Sequence, residues 1–269
     1  MPEPVVRPKV VLVVTVVFLA LVVVHIWIGS QDNGGGRTTG PRLSRLEIAD
    51  QEEPLDIERT QRAGELEELI GSRAYLLTNG ETNERRATAI QLAYLTTNPQ
   101  ESDRFMGLPD RLRGELRDAL TRGLNDEDEI VSQNCLEALL GLWRTSDSIA
   151  ATEQFREGLA AYRAGQIDRA MAAFQSAEDL RGSVPPDLYR MKAQVYLQRQ
   201  EPDKALAACA KALEAEPRNF LALLIVTHVH LQQGNHQKAR RALDTAETIY
   251  QRLPQAEELR AQISRAPGG

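Results

Sequence analysis

The sequence has little cysteine and none of the short motifs that mark common catalytic sites. Its two cysteines, Cys135 and Cys209, lie 74 residues apart, so they form neither a CxxC motif nor a pair with metal-ligand spacing. The patterns G-x-x-x-x-G-K-[ST], G-x-S-x-G, H-E-x-x-H and G-x-G-x-x-G are all absent. We therefore expect no enzyme and no cofactor, and we interpret each cysteine as a small core residue. The remaining enzymatic alternative is a site without a recognisable motif.

Metal-binding patterns are equally scarce. His228 and His230 lie two residues apart on a predicted helix and point to different sides, so they cannot share a metal on one face. The four consecutive acidic residues 126–129 could form a cation site, but they also stand at a predicted helix start, where negative charge complements the helix dipole. We prefer the second interpretation and expect no metal.

The chain has no excess of positive charge. Its formal net charge is −6, which gives no electrostatic support for nucleic-acid binding. The charge is unevenly distributed, because residues 46–150 carry 22 acidic and 11 basic residues while residues 151–269 carry 14 and 16. The first of these regions is acidic and the second is close to neutral.

A single long apolar run occurs at residues 10–29, after a flank at residues 1–9. Twenty residues of helix span about 30 Å, the thickness of a bilayer's hydrocarbon core. The alternative is a cleaved signal peptide, but that has a shorter apolar region and a small-x-small cleavage site. Trp27 near the end of the run suits an interfacial anchor better. The run predicts an uncleaved, single-pass transmembrane helix.

The orientation of this helix is set only weakly by its flanking charges. Arg7 and Lys9 directly precede the helix, whereas Arg37, Arg42 and Arg45 follow it at a distance. Because the nearer charges lie before the helix, we expect a cytoplasmic N-terminus and an extracytoplasmic body.

Between the apolar run and the repeats described below, the chain changes from linker to helix. Residues 30–58 are glycine-rich, then acidic, and read as a flexible polar linker. Residues 59–148 predict an acidic helical region that resembles HEAT repeats weakly, with an irregular bundle or decayed repeats as alternatives. Its helices are predicted near residues 60–77, 82–96, 109–124 and 126–144.

The last hundred or so residues contain small side chains at a fixed period. Ala170, Ala205 and Ala239 recur at intervals of 35 and 34 residues, and Ala177, Ala212 and Ala246 recur seven residues after each. Between them stand the larger Phe174, Cys209 and Leu243. We predict that the alanines lie where two helices cross closely, while Ala207 and Ala210 merely favour helix.

This spacing resembles the tetratricopeptide repeat, a helix-turn-helix unit of 34 residues. Three units are predicted, at residues 151–185, 186–219 and 220–253, followed by a capping helix at 254–266. Gly165 and Gly234 match the turn glycine, where positive φ carries no steric cost, but Gln200 replaces it in the second unit. The resemblance implies an all-α, helix-hairpin solenoid behind the transmembrane helix.

The resemblance also implies a concave groove, formed by the first helix of each unit, that binds protein or peptide. Leucines and Phe155 stand at positions where chaperone-binding members of the family use a lysine and asparagine clamp, so we do not expect binding of chaperone tails. The expected ligand is an apolar segment with an acidic residue. The groove-facing residues implied by the family are Phe155, Leu159, Tyr162, Arg163, Arg190, Gln194, Leu197, Leu221, Leu224, His228 and Leu231.

The predicted function is that of a membrane-tethered, protein-binding scaffold or assembly adaptor. One alternative is that the preceding helical region packs into the groove and blocks it. Another is a structural subunit whose groove is filled by its own chain or by a second copy. Carboxylates on the repeats, such as Glu214 and Glu216, are expected to be solvated.

Overall fold

The computed structural model describes residues 63–102, 108–180 and 183–265, and every regular element in these ranges is a helix. The predicted flank at 1–9, transmembrane helix at 10–29 and linker at 30–58 lie outside the described residues. Within the described ranges, no helix has the length and apolar character needed to span a bilayer. The helices are α1 (Ala63–Asn79), α2 (Thr82–Thr97), α3 (Pro99–Ser102), α4 (Asp110–Gly123), α5 (Glu129–Trp143), α6 (Ile149–Arg163), α7 (Ile167–Asp179), α8 (Leu188–Gln198), α9 (Pro202–Ala215), α10 (Phe220–Gln232), α11 (His236–Ile249) and α12 (Ala256–Ser264).

Short polar side chains set several helix starts. Asp128 precedes α5 and accepts a hydrogen bond from the Val131 amide at 3.1 Å. Ser148 and Asn219 cap α6 and α10 in the same way. Such caps satisfy amide groups in the first turn that have no carbonyl partner within the helix. The helix predicted from residue 126 begins at Glu129, so Asp128 is its cap and only Glu129 of the four acidic residues lies in its first turn.

The upstream region, residues 63–143, is built from the hairpins α1–α2 and α4–α5. The two hairpins lie face to face, so that α2 packs on α5 and α1 packs on α4. Gly141 of α5 permits this approach, because a Cβ added there would lie 2.6 Å from the carbonyl oxygen of Thr96. The predicted helices are confirmed, whereas the HEAT-like interpretation stays a prediction.

The repeat region, residues 149–253, consists of three hairpins, α6–α7, α8–α9 and α10–α11. Ala170, Ala205 and Ala239 are completely buried on the second helices. Gly158 shows how tight one such crossing is, since a Cβ there would come within 2.4 Å of the Phe174 ring. The prediction that these small residues are placed at helix crossings is confirmed, and the exposure of Ala207 and Ala210 agrees with their assignment as helix formers.

The turns inside the three hairpins share one backbone geometry. Gly165 and Gly234 have φ values of 72° and 73°, as predicted for the turn glycine. Gln200 adopts a φ of 59° at the same position of the second unit. The turn conformation is therefore kept there despite the steric cost that a side chain carries in the left-handed region.

The helix predicted at residues 254–266 is present as α12, which packs on α11. Leu259 and Ile263 of α12 are buried, while Glu257, Glu258 and Arg260 are exposed. The apolar side thus faces the last hairpin and the charged side faces solvent, as a terminal cap of a repeat array requires.

Candidate functional site

The first helices of the three hairpins, α6, α8 and α10, carry the residues predicted to line a groove. Four of these residues are buried: Phe155, Leu159, Arg190 and Leu224. The Phe155 ring packs against Phe174 of the same hairpin, with ring centroids 5.6 Å apart. Phe155 and Leu159 therefore belong to the core of the first unit. The side chains of all four residues are covered by the protein itself, and their contact with a ligand stays a prediction.

Arg190 is held by an ion pair inside the protein. Its guanidinium group contacts both carboxylate oxygens of Asp187, and the Nη2–Oδ2 distance is 2.7 Å. Burial alone would lower the pKa of Arg190, but the Asp187 carboxylate more than offsets this, so the pKa is raised. Arg190 therefore stays charged, and its bidentate contact with Asp187 occupies the face that was predicted to meet a peptide.

The upstream region covers the N-terminal ends of the first helices. The Trp143 carbonyl accepts a hydrogen bond of 2.9 Å from the Asp187 amide, just before α8 begins. The Trp143 ring lies 6.1 Å from that of Phe220, the first residue of α10, and Phe220 in turn lies 5.4 Å from Tyr250. Buried aromatic pairs of this kind contribute about 1 kcal/mol each beyond the area they bury. The preceding helices therefore pack on the repeats at this edge, whereas the alternative that they pack into the groove and block it stays a prediction.

Polar contacts extend the same interface along the connections between repeats. Arg117 of α4 lies 2.9 Å from Glu216, which is buried after α9, and Asp118 pairs with Arg218. Asn125 donates to the Ile249 carbonyl and accepts from the Gln251 amide. The expectation that Glu216 is solvated is wrong, because the upstream region covers it and supplies a guanidinium partner.

The C-terminal ends of the same helices remain partly open. Tyr162, Gln194, Leu197, His228 and Leu231 are half-buried, and Arg163 is exposed. Together they form a partly apolar and partly polar surface to which each of the three hairpins contributes. We call these six residues the open strip.

Two residues of the open strip are oriented by neighbours. The Tyr162 hydroxyl accepts a hydrogen bond from Gln198 at 3.1 Å, which ties the first hairpin to the second. The His228 ring lies 3.0 Å from the side-chain nitrogen of Gln232. Burial lowers the pKa of His228, so the ring is neutral near pH 7.

Arg144 is a neighbour of Asp187 that the sequence did not reveal. It follows α5, its side chain is 19% exposed, and its Nε lies 3.8 Å from the Asp187 carboxylate. It belongs to the upstream region, so the repeat period carries no signal for it. Only its position directly after the buried Trp143 brings it to Asp187.

The acidic residues at the start of α5 act as structural partners. Asp126 and Asp128 accept hydrogen bonds from Arg85 and Arg86 of α2 at 2.7 and 2.8 Å. These contacts join the two upstream hairpins. Each of the two carboxylates therefore has a guanidinium partner within the protein.

Both thiols are buried and poorly suited to nucleophilic chemistry. Burial raises the pKa of Cys135 and of Cys209 to about 12. Because the thiolate is the reactive form, neither sulfur is activated in the folded protein.

Comparison with known families gives a result for the repeat region. The family model described as tetratricopeptide repeat matches residues 155–220 and again residues 190–257. No curated protein matches the chain. The matches support a relation to the tetratricopeptide repeat family, whose members are typically non-enzymatic scaffolds for protein interaction. They fall on the three hairpins that the alanine period identified.

Proposed function

We propose that this protein is a membrane-tethered scaffold that binds an apolar protein segment, carrying an acidic residue, along the open strip. The single observation behind this proposal is that the first helices of the hairpins are covered at one end and partly open at the other. The upstream region covers the N-terminal ends of α8 and α10, while Tyr162, Leu197 and His228 stay accessible on successive hairpins. A partly apolar surface with hydrogen-bonding groups on successive hairpins suits an extended or helical segment.

Membrane tethering rests on the apolar run at residues 10–29. A tethered scaffold meets membrane partners at a raised effective concentration. We propose a cytoplasmic N-terminus and an extracytoplasmic body. Protease treatment of intact and permeabilised cells tests this orientation, because the C-terminus should be cut without permeabilising the membrane that carries the anchor.

Site-specific photo-crosslinking tests the binding surface. A photoreactive phenylalanine derivative replaces Leu197 in the open strip or, as a matched control, Ala210 on the exposed side of α9. We expect a discrete crosslinked partner from position 197 and none from position 210. A second substitution, Tyr162→Ala, should weaken that crosslink. Equal crosslinking from both positions would contradict the proposal.

A structural subunit is the second candidate, and the interface between the upstream region and the repeats favours it. That interface buries Trp143, Glu216, Asn219 and Phe220. If the concave face serves only the chain itself or a second copy, Leu197→Asp should change the oligomeric state in analytical ultracentrifugation and leave partner capture unchanged. The scaffold proposal expects the opposite result.

A further inference from the structure

The outer side of α2 is exposed and carries large apolar side chains. Ile90 is 38% exposed and Tyr94 is 49% exposed, and they lie one helical turn apart on the same side of the helix. Ala87 and Thr97 extend this line, because a spacing of three, four and three residues keeps side chains on one side of a helix. We call these four residues the α2 face.

The packing of α2 leaves this face toward solvent. Among the described elements, α2 packs on α5 and on α1, and the short α3 follows it. The residues of α2 that these neighbours bury are Thr88, Ala89, Leu92, Ala93 and Thr96. At 100° per residue, the α2 face lies on the opposite side of the helix from this buried set. It is therefore an unpartnered helix face within the described part of the chain.

Exposed large apolar residues are concentrated around α2. Six of them occur in the described residues, and four of the six lie on the adjacent helices α1, α2 and α5. Besides Ile90 and Tyr94, these are Tyr75 of α1 and Ile130 of α5. Single exposed apolar residues are ordinary on protein surfaces, whereas a group on neighbouring helices indicates an interaction surface.

The exposed charges around the α2 face are of one sign. Arg85 and Arg86 of α2 are half-buried and pair with Asp126 and Asp128, and Arg73 of α1 also has a partner. α5 contains no basic residue. Among the described side chains of α1, α2 and α5, the exposed charged residues are all acidic: Glu68, Glu84, Glu129 and Glu137.

We propose that the α2 face binds a basic amphipathic helix of a partner protein. The apolar side of that helix packs on Ile90 and Tyr94, and its lysines or arginines face the surrounding glutamates. The spacing along α2 suits a second helix lying beside it, because side chains three and four residues apart interdigitate between paired helices. The opposite charges of the two surfaces favour association. This surface lies on the upstream region and is distinct from the open strip on the repeats.

Charge distinguishes this partner from the other occupants that an apolar face could have. A second copy of the chain would bring the same glutamates against one another, and like charges across an interface are unfavourable. An anionic membrane surface would be repelled for the same reason. A basic helix is attracted by the charges that oppose both of these.

Fluorescence anisotropy of labelled peptides, titrated with the full-length protein, tests this proposal. The probe is the peptide Ac-LKKLLKLLKKLLKL-NH2, which as a helix has leucines on one side and lysines on the other. One control peptide keeps this composition in the order LKLKLKLKLKLKLL, which places no apolar stripe on a helix. A second control replaces each lysine of the probe by glutamate. We expect the probe to bind and both controls to fail, and equal binding of either control would overturn the proposal.

Matched apolar substitutions locate the binding surface. Tyr94→Ser should weaken binding of the probe about tenfold, and Ile90→Ser about fivefold. Ile149→Ser is the control, because Ile149 is 59% exposed but lies on α6, away from the α2 face. It should leave binding unchanged. Circular dichroism verifies that each variant is folded, and equal losses from Ile90→Ser and Ile149→Ser would overturn the proposal.

Matched charge substitutions test the acidic surroundings. Glu137→Gln should weaken binding of the probe about twofold, since each exposed ion pair contributes little. Glu153→Gln, at an exposed carboxylate of α6, should leave binding unchanged. Equal effects of the two variants would mean that the probe responds only to net charge, which contradicts the proposal.

Photo-crosslinking from position 94 identifies the occupant of the face. A photoreactive phenylalanine derivative in place of Tyr94 should crosslink the probe. A crosslink to a second copy, or to another segment of the same chain, in place of the probe would overturn the proposal. The same holds if the protein binds phosphatidylglycerol vesicles through Tyr94 and does not bind the probe. If Leu197→Ala weakens probe binding and Tyr94→Ser does not, the probe binds the open strip and the proposal is wrong.

Discussion

In the repeat region each helix packs mainly against its neighbour in sequence, whereas in the upstream region α2 packs mainly against α5 of the other hairpin. The repeats place an alanine at the same position of each hairpin, at Ala170, Ala205 and Ala239. In the upstream region the contact between α2 and α5 uses a glycine, Gly141, against the Thr96 backbone. The alanine contact within a hairpin thus recurs three times, whereas the glycine contact between two hairpins occurs once in the described residues.

This difference explains why the two regions are unequally visible in the sequence. A contact that recurs in each hairpin leaves a period that can be counted. A contact made once, between helices of different hairpins, leaves only an isolated small residue. The following substitutions test whether the two kinds of packing differ in this way, from the largest expected effect to the smallest.

Asp187→Asn should have the largest effect, because Asp187 is where the two regions meet. The substitution leaves the Arg190 guanidinium buried without its carboxylate and removes the nearest acidic partner of Arg144. We expect the free energy of unfolding to fall by about 4 kcal/mol. Urea denaturation of the full-length protein, followed by circular dichroism, measures it. Asp179→Asn, at an exposed carboxylate, should change it by about 0.5 kcal/mol or less.

Gly141→Ala tests the crossing of α2 and α5 in the upstream region. The new Cβ meets the Thr96 carbonyl at 2.6 Å, and backbone cannot move aside as a flexible side chain can. We expect a loss of about 3 kcal/mol. Gly71→Ala is the matched control, because no atom lies within 4 Å of its added Cβ. It should stabilise helix α1 by about 0.5–1 kcal/mol. A loss in both variants would show that helix geometry, and not the crossing, is responsible.

Ala205→Val tests the repeated crossing in the second hairpin. Ala205 is completely buried, so two added methyl groups overpack the helix interface and should cost about 2 kcal/mol. Ala207→Val on the same helix carries the same loss of helix propensity at an exposed position, about 0.5 kcal/mol. Thermal or urea unfolding of both variants isolates the packing contribution as their difference. Equal losses would mean that the alanine period reflects propensity alone.

The smallest effect is expected for thiol modification of the folded protein. Cys135 lies in the upstream region and Cys209 in the repeats, and the pKa of each is raised to about 12 by burial. At pH 8 about one thiol in ten thousand is ionised. Iodoacetamide followed by mass spectrometry should leave both unmodified in the native state and label both in urea. Labelling of one cysteine in the native state would show that its region opens more readily.

The helices, the three hairpins and their turn positions were predictable from the sequence because their causes are local. Apolar period, caps such as Asp128, and the glycines at 165 and 234 act within a few residues. The open strip was predictable in part, since the family resemblance implies groove residues at Tyr162, Leu197 and His228, which are half-buried in the structure. The positive φ of Gln200 was not predictable, because a glutamine side chain does not favour that backbone conformation.

By itself the sequence determined the phase of small and large side chains, and hence which helices pair. Only the tertiary structure decided that the upstream region covers one edge of the repeats, burying Glu216 against Arg117, which lies 99 residues earlier. It also decided that Arg190 faces Asp187 and that Arg144 lies beside them. The physical reason is that a single contact between distant residues produces no periodicity in the sequence. Such a contact can therefore be identified only in the folded structure.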